Sequence, residues 1–261
     1  MERLTLLKRA VDSGHRISHV ADLDRQTLVD LTHAAPTQPQ PHGPKESKTT
    51  PPKPGVAQTY IEGCLQTIET LDAQGLQDCL YRCGQAFGHR NTIEAVITPV
   101  MNRVGQCWSE GSLRIIHEHF ATTIFHAHFC RMLDTPAAPL PHRPRLLIGT
   151  PAGQWCHLGA LATAVIARYH GWEPIFLGPS LPAEEIAAAR SAIRPQMIAL
   201  SITCRFDDNC LQAEIRRLTD LSDNRCLLVV GGQAAERCRR YVEAVGGVVC
   251  AETDALIALL H

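Results

Sequence analysis

The sequence has no excess of charge of either sign: 25 Lys and Arg stand against 26 Asp and Glu in 261 residues, a formal net charge of -1. That balance argues against a dedicated nucleic-acid coat or a membrane-surface protein. No apolar run approaches the roughly 18 uncharged residues of a transmembrane helix, so no membrane span is expected. The opening segment, MERLTLLKRAVDSGHR, has neither the apolar centre nor the small-residue cleavage site of a signal peptide, and a cytoplasmic location is expected. No Cys-x-x-Cys occurs among the 11 cysteines, whose scatter and odd number fit reduced thiols better than a disulfide framework or a zinc module. What the chain does have is an ordinary hydrophobic content of 45%, enough to bury a sizeable core.

Proline divides the chain. Residues 34–55 hold seven of the 17 prolines and almost no large apolar residue, so they are expected as an extended linker. Residues 1–33, cut off by it, are too short for an independent domain; two short helical stripes there read as the tail of something larger. From Ala57 to Leu133 the pattern is helical, with four helices expected near 57–72, 74–88, 91–108 and 114–133 and with Gly75, Gly88 and Gly111 at or near the breaks. Short connections between them argue for a four-helix bundle over 56–134.

After a second Pro-rich stretch at 135–144 the rhythm alternates. Strands are expected near 145–148, 174–177, 197–202, 226–230 and 247–250, with helices near 158–170, 183–193, 208–220, 233–244 and 253–260. Five βα units predict a five-stranded parallel, Rossmann-like (flavodoxin-like) α/β domain over 143–261. In such a sheet ligands sit at the carboxyl ends of the strands. The loops there read GTPAGQWCHLGAL, LGPSLP, SITCRFDD and VVGGQAA.

The small residues Gly159, Ser201, Gly231 and Gly232 in those loops would clear a channel for a long nucleotide tail, and Ser201 and Thr203 offer hydroxyls at a strand end. Gly159 is followed by 41 residues before Ser201-Ile202-Thr203, and these by 27 more before Gly231-Gly232. That order and spacing resemble the cobalamin-binding domain of methionine synthase, corrinoid mutases and B12-dependent photoreceptor regulators. In the helical half, Trp108 is followed after nine residues by Glu118-His119. This Trp-x9-Glu-His pattern resembles the cap of the light-sensing CarH/LitR regulators of the MerR superfamily. The resemblance implies that the bundle covers the upper face of adenosylcobalamin, with Trp108 shielding the adenosyl group and Glu118 and His119 at that pocket. Residues 1–33 resemble the last helices of a MerR-type DNA-binding domain; DNA contact is then expected only through a helix-turn-helix missing from this sequence.

Two positions depart from the family pattern. The family's cobalt ligand is a histidine three residues before the glycine; here Cys156 stands there, Gln154 takes the acidic position and His157 comes one residue late. A thiolate is softer than imidazole and open to oxidation. A one-residue shift turns a helical side chain by about 100°. After Trp108 the family often has a histidine that takes cobalt once light expels the adenosyl group; here it is Ser109. Three arrangements stay open: cobalamin over Cys156 or His157, cobalamin without a protein ligand, or none. The expected cofactor contacts are Trp108, Glu118, His119, Gln154, Trp155, Cys156, His157, Gly159, Ser201, Thr203, Gly231 and Gly232, with Cys156 and His157 as metal ligands.

The resemblance implies a non-enzymatic, light-responsive sensory module that acts as a homo-oligomer, a dimer or tetramer. Two other functions stay open. One is a diverged sensor that takes haem or a bilin, or reads redox state through Cys156; the other is a corrinoid carrier for methyl transfer. Cys79 with Cys83, one turn apart, and His119 with His126 and Cys130 are weaker metal candidates, while His117, His126 and His128 read as helix surface.

Overall fold

A computed structural model describes residues 52–134, 143–203, 208–221 and 226–261, together with Leu6 and the helical residues 26–29. Most of the expected DNA-binding remnant, most of the linker and Cys204 therefore lie outside the described residues. The chain divides into two compact units, one within Lys45–Pro136 and one containing Ala137–His261.

The first unit is all helix. Helix α1 (Pro54–Glu69) begins inside the stretch expected as linker, with proline in its first turn, where a missing N–H removes no helical bond. Helix α2 (Ala73–Thr92) is capped by Asp72, whose carboxylate accepts the Gly75 N–H at 2.9 Å. Near its end Gly88 adopts φ 75°, which kinks the helix, and a π turn over Ile93–Ile97 leads into α3 (Thr98–Ser109). The kink leaves backbone carbonyls short of donors. The Asn91 amide supplies one to the Phe87 carbonyl at 2.9 Å and the Thr92 hydroxyl supplies one to the Gly88 carbonyl at 2.7 Å. Helix α4 (Ile115–Asp134) completes the unit. Its core gathers Ile68, Leu76, Leu80, Val100, Val104, Phe125 and Phe129.

The second unit alternates: β1 (Arg145–Pro151), α5 (Leu158–Tyr169), β2 (Glu173–Leu181), α6 (Ala183–Ile193), β3 (Met197–Ser201), α7 (Asp208–Asp220), β4 (Leu227–Gly231), a 3-10 turn (Ala235–Cys238), α8 (Arg239–Ala244), β5 (Val248–Cys250) and α9 (Thr253–Leu260). All strand pairs are parallel, in the order β2-β1-β3-β4-β5. The central strands are buried on both faces, which explains their unbroken runs of Leu, Ile and Val. Trp172 is enclosed, and its indole N–H donates to the Leu260 carbonyl at 2.9 Å, tying α9 down. The order in which successive strands are laid down reverses between β1 and β3, so the crevice at their carboxyl ends is where this architecture receives ligands. Among the described residues no helix is long and apolar enough to cross a membrane.

Candidate functional site

The loop from β1 to α5 is fastened from both sides. On the β2 side, the Thr150 hydroxyl donates to the Gln154 carbonyl and accepts the Ser180 N–H at 2.8 Å, while the Gly153 N–H donates to the Ser180 hydroxyl at 3.1 Å. Ser180 reaches in because β2 departs from regular pairing there, with φ 101° at Gly178 and 56° at Ser180. On the β3 side, the Thr203 N–H donates to Gln154 Oε1 at 3.2 Å, and the Thr203 hydroxyl to the Cys156 carbonyl at 3.3 Å.

Gln154 is fully buried by this arrangement. Its side chain is spent on bracing the loop against β3, and the neutral amide suits a site where a carboxylate would carry an unpaired charge inward. Trp155 stands at the loop tip, 72% exposed. Cys156 and His157 are half-buried at the start of α5. His157 Nδ1 lies 3.2 Å from the Trp155 carbonyl, and its ring packs on Phe176 with centroids 6.0 Å apart. An imidazole that donates from Nδ1 carries its lone pair on Nε2, the form that ligates a metal.

Ser201 ends β3, and its hydroxyl is buried and has no hydrogen-bond partner among the described residues. A β-carbon on Gly159 would stand 2.8 Å from that oxygen. The glycine is thus what lets α5 come close to the end of β3 while leaving the hydroxyl in place. Gly232 has a different reason to be glycine: its φ is 101°, and a β-carbon there would meet the Ile202 carbonyl at 2.5 Å. This residue is required by the backbone of the loop after β4 whether or not a ligand is present.

A buried, unsatisfied hydroxyl is costly unless something reaches it. The strand ends with their glycine cradle and the half-buried sulfur and imidazole fit a corrinoid. Ser201 suits the polar atoms of a nucleotide tail, and Cys156 and His157 are both able to meet cobalt.

In the helical unit Trp108 ends α3 and is 50% exposed. Glu118, in the first turn of α4, accepts from His119 Nδ1 at 2.7 Å and from the Thr122 hydroxyl at 2.9 Å, so both carboxylate oxygens are engaged. Ile115 and Ile116, just before it, are also about half exposed. Ser109, which replaces the second histidine of the pattern, closes onto its own helix by donating to the Gln106 carbonyl at 2.7 Å.

Two features of this unit went unread in the sequence. His128 was expected at the surface, yet its Nε2 is buried and has no partner among the described residues, and burial followed by the nearby Arg131 charge pushes its imidazole down to about 4. Cys79 and Cys83 are joined by Cys64 of α1 in one buried group. Among the described residues no three His, Cys, Asp or Glu side chains are arranged to hold a metal ion, which covers both the Cys79–Cys83 and the His119–His126–Cys130 candidates.

Residues 60–129 match the family model described as a B12 binding domain. Over 233 residues the chain is 28% identical to the HTH-type transcriptional repressor CarH of Myxococcus xanthus, covering 89% of this chain and 74% of that protein. It is 23% identical to the repressor CarA of the same organism over 203 residues, covering 76% of this chain and 63% of CarA, less than two thirds of its length. The chain is CarH-like over most of its sequence. Among solved structures, the monomethylamine corrinoid protein of Methanosarcina barkeri superposes with a TM-score of 0.60 at 11% identity, covering 77% of this chain and 98% of that one, a likeness of fold.

Proposed function

We propose that this chain is the cobalamin-binding sensory module of a CarH-like transcriptional regulator, with adenosylcobalamin as the bound form and light as the signal. The observation that carries the cobalamin reading is the Ser201 hydroxyl, buried and without a partner among the described residues, beside Gly159 at the reversal point of the strand order. The match of residues 60–129 to a B12 binding domain supports the same reading for the helical unit. The repressor relatives support a regulatory, non-enzymatic role in the cytoplasm.

In this reading Ser201 would hydrogen-bond the nucleotide tail, and Gln154 and Thr203 hold the β1–α5 loop that carries Cys156 and His157, either of which would ligate cobalt. The exposed indole of Trp108 offers a stacking face for the nucleoside, and the Glu118–His119 pair offers it polar contacts. When bound, adenosylcobalamin supplies a cobalt–carbon bond that light breaks. Trp108, Glu118 and His119 would hold the nucleoside only while that bond is intact, and so would bias a two-state equilibrium between a dark homo-oligomer and its separated subunits.

The test is dark reconstitution of the full chain with adenosylcobalamin, followed by absorption and size-exclusion measurements before and after illumination. The proposal expects an alkylcobalamin spectrum in the dark, a spectral change in light and a later elution volume. A retained spectrum with no shift in elution on illumination overturns the light-driven oligomer switch and leaves cobalamin binding standing.

A further inference from the structure

Three thiols that the cobalamin reading does not use meet inside the helical unit. Cys64 lies on α1, and Cys79 and Cys83 lie one turn apart on α2. The two helices approach closely there. The Cys79 sulfur lies 3.8 Å from the Tyr60 carbonyl of α1, and a β-carbon on Gly63 would stand 3.5 Å from the same sulfur. Tyr60 lies one turn before Cys64 and Gly63 is its neighbour, so the Cys79 sulfur sits against the turn of α1 that carries Cys64. Cys64 and Cys83 are fully enclosed, whereas Cys79 keeps 6% of its surface.

We propose that Cys64 and Cys79 form a peroxide-responsive redox pair that reversibly staples α1 to α2. Cys79 is the attacking group. Hydrogen bonds donated by Cys64 and then by Cys83 hold its thiol below the ordinary range, while donating to Cys79, followed by burial, pushes those two thiols up. The Cys79 thiolate attacks one oxygen of a hydroperoxide. The O–O bond breaks, Cys79 becomes a sulfenic acid, and the other oxygen leaves as water or alcohol after taking up a proton. The Cys64 sulfur then attacks the Cys79 sulfur, the S–O bond breaks, and the hydroxyl departs with the Cys64 proton as a second water. In sum, two thiols are oxidised to one disulfide and one hydroperoxide is reduced. Cys64 is favoured over Cys83 as the resolving thiol because residues one turn apart on a helix cannot reach disulfide geometry without distorting it, whereas an inter-helix pair joins two separate backbones.

This inference is independent of cobalamin. The full chain, prepared reduced and without corrinoid, is treated with hydrogen peroxide; residual thiols are then blocked under denaturing conditions and the peptides are mapped by mass. The expected product is a Cys64–Cys79 linked peptide, reversed by dithiothreitol, with a rise of several degrees in thermal midpoint. Cys226 and Cys250, pushed by burial to about 12 and about 11, stay reduced and serve as internal controls. Cys83→Ala retains the linked peptide; Cys64→Ser abolishes it and leaves Cys79 oxidised to an acid, so the attacking role is read even without the staple. A Cys79–Cys83 link, uniform oxidation of all buried thiols, or no reaction at Cys79 overturns the proposal.

Discussion

Gly159 and Ser201 share one small space: a side chain on the first would stand 2.8 Å from the hydroxyl of the second, and that hydroxyl has no partner among the described residues. The two positions are therefore coupled in stability. Gly159→Ala forces the serine side chain aside and is expected to cost about 1–2 kcal/mol. Ser201→Ala removes an unpaired buried hydroxyl and is expected to be neutral or to stabilise by about 1 kcal/mol. In the double variant the first penalty largely disappears, and urea unfolding of the four proteins measures that coupling. Additive effects would contradict the shared space.

Gln154 supplies a second expectation. Its fully buried amide carries the loop contact to the Thr203 N–H. Replacing it with leucine keeps the volume and strands that N–H, which is expected to cost about 1–3 kcal/mol. The urea midpoint should fall with the slope unchanged. Glutamate at the same place, which restores the family's acidic residue, is expected to destabilise at neutral pH because its charge would be buried without a cation.

Much of this was legible from residue pattern alone. Uninterrupted apolar runs such as Leu146–Ile148 and Leu227–Val230 lie in the central strands, and four helix ranges of the α/β unit match expectation within a residue, whereas the helix expected over 233–244 opens as a 3-10 turn and becomes α-helical only from Arg239. Strand β2 runs further than expected, to Leu181, because Gly178-Pro179-Ser180 reads as a loop yet continues the strand with two positive φ values. The π turn at Ile93–Ile97 was invisible, since hydrophobic spacing does not distinguish a local change of hydrogen-bond register. Cys64 could not be assigned to Cys79 and Cys83, because their meeting depends on how α1 packs on α2. The role of Gln154 was likewise hidden: a polar residue in a glycine-bearing loop looks exposed, and only tertiary structure turns it inward.

His128 makes stability depend on pH. Its imidazole falls from 6.5 in the unfolded chain to about 4 in the fold, so between those values the unfolded state binds more protons. Stability therefore rises with pH through that window, is complete above it and is lost as pH falls below 6.5. From about pH 7 to about pH 5 the expected loss is up to about 2 kcal/mol. Thermal melts across that range should show the slope in the parent protein and a shallower one in His128→Leu. An unchanged slope would place His128 outside the effect.

The account's central claim is that the carboxyl end of the α/β sheet holds a corrinoid. The most direct measurement is the cobalamin retained per chain after the 261-residue chain is mixed with adenosylcobalamin in the dark and desalted, compared between the parent, Ser201→Ala and Gly159→Val. The account predicts near-stoichiometric retention by the parent, roughly tenfold weaker binding for Ser201→Ala from the loss of one ligand hydrogen bond, and little or none for Gly159→Val with the fold intact by circular dichroism. A parent protein that retains no corrinoid, or a Gly159→Val variant that binds as the parent does, would contradict it.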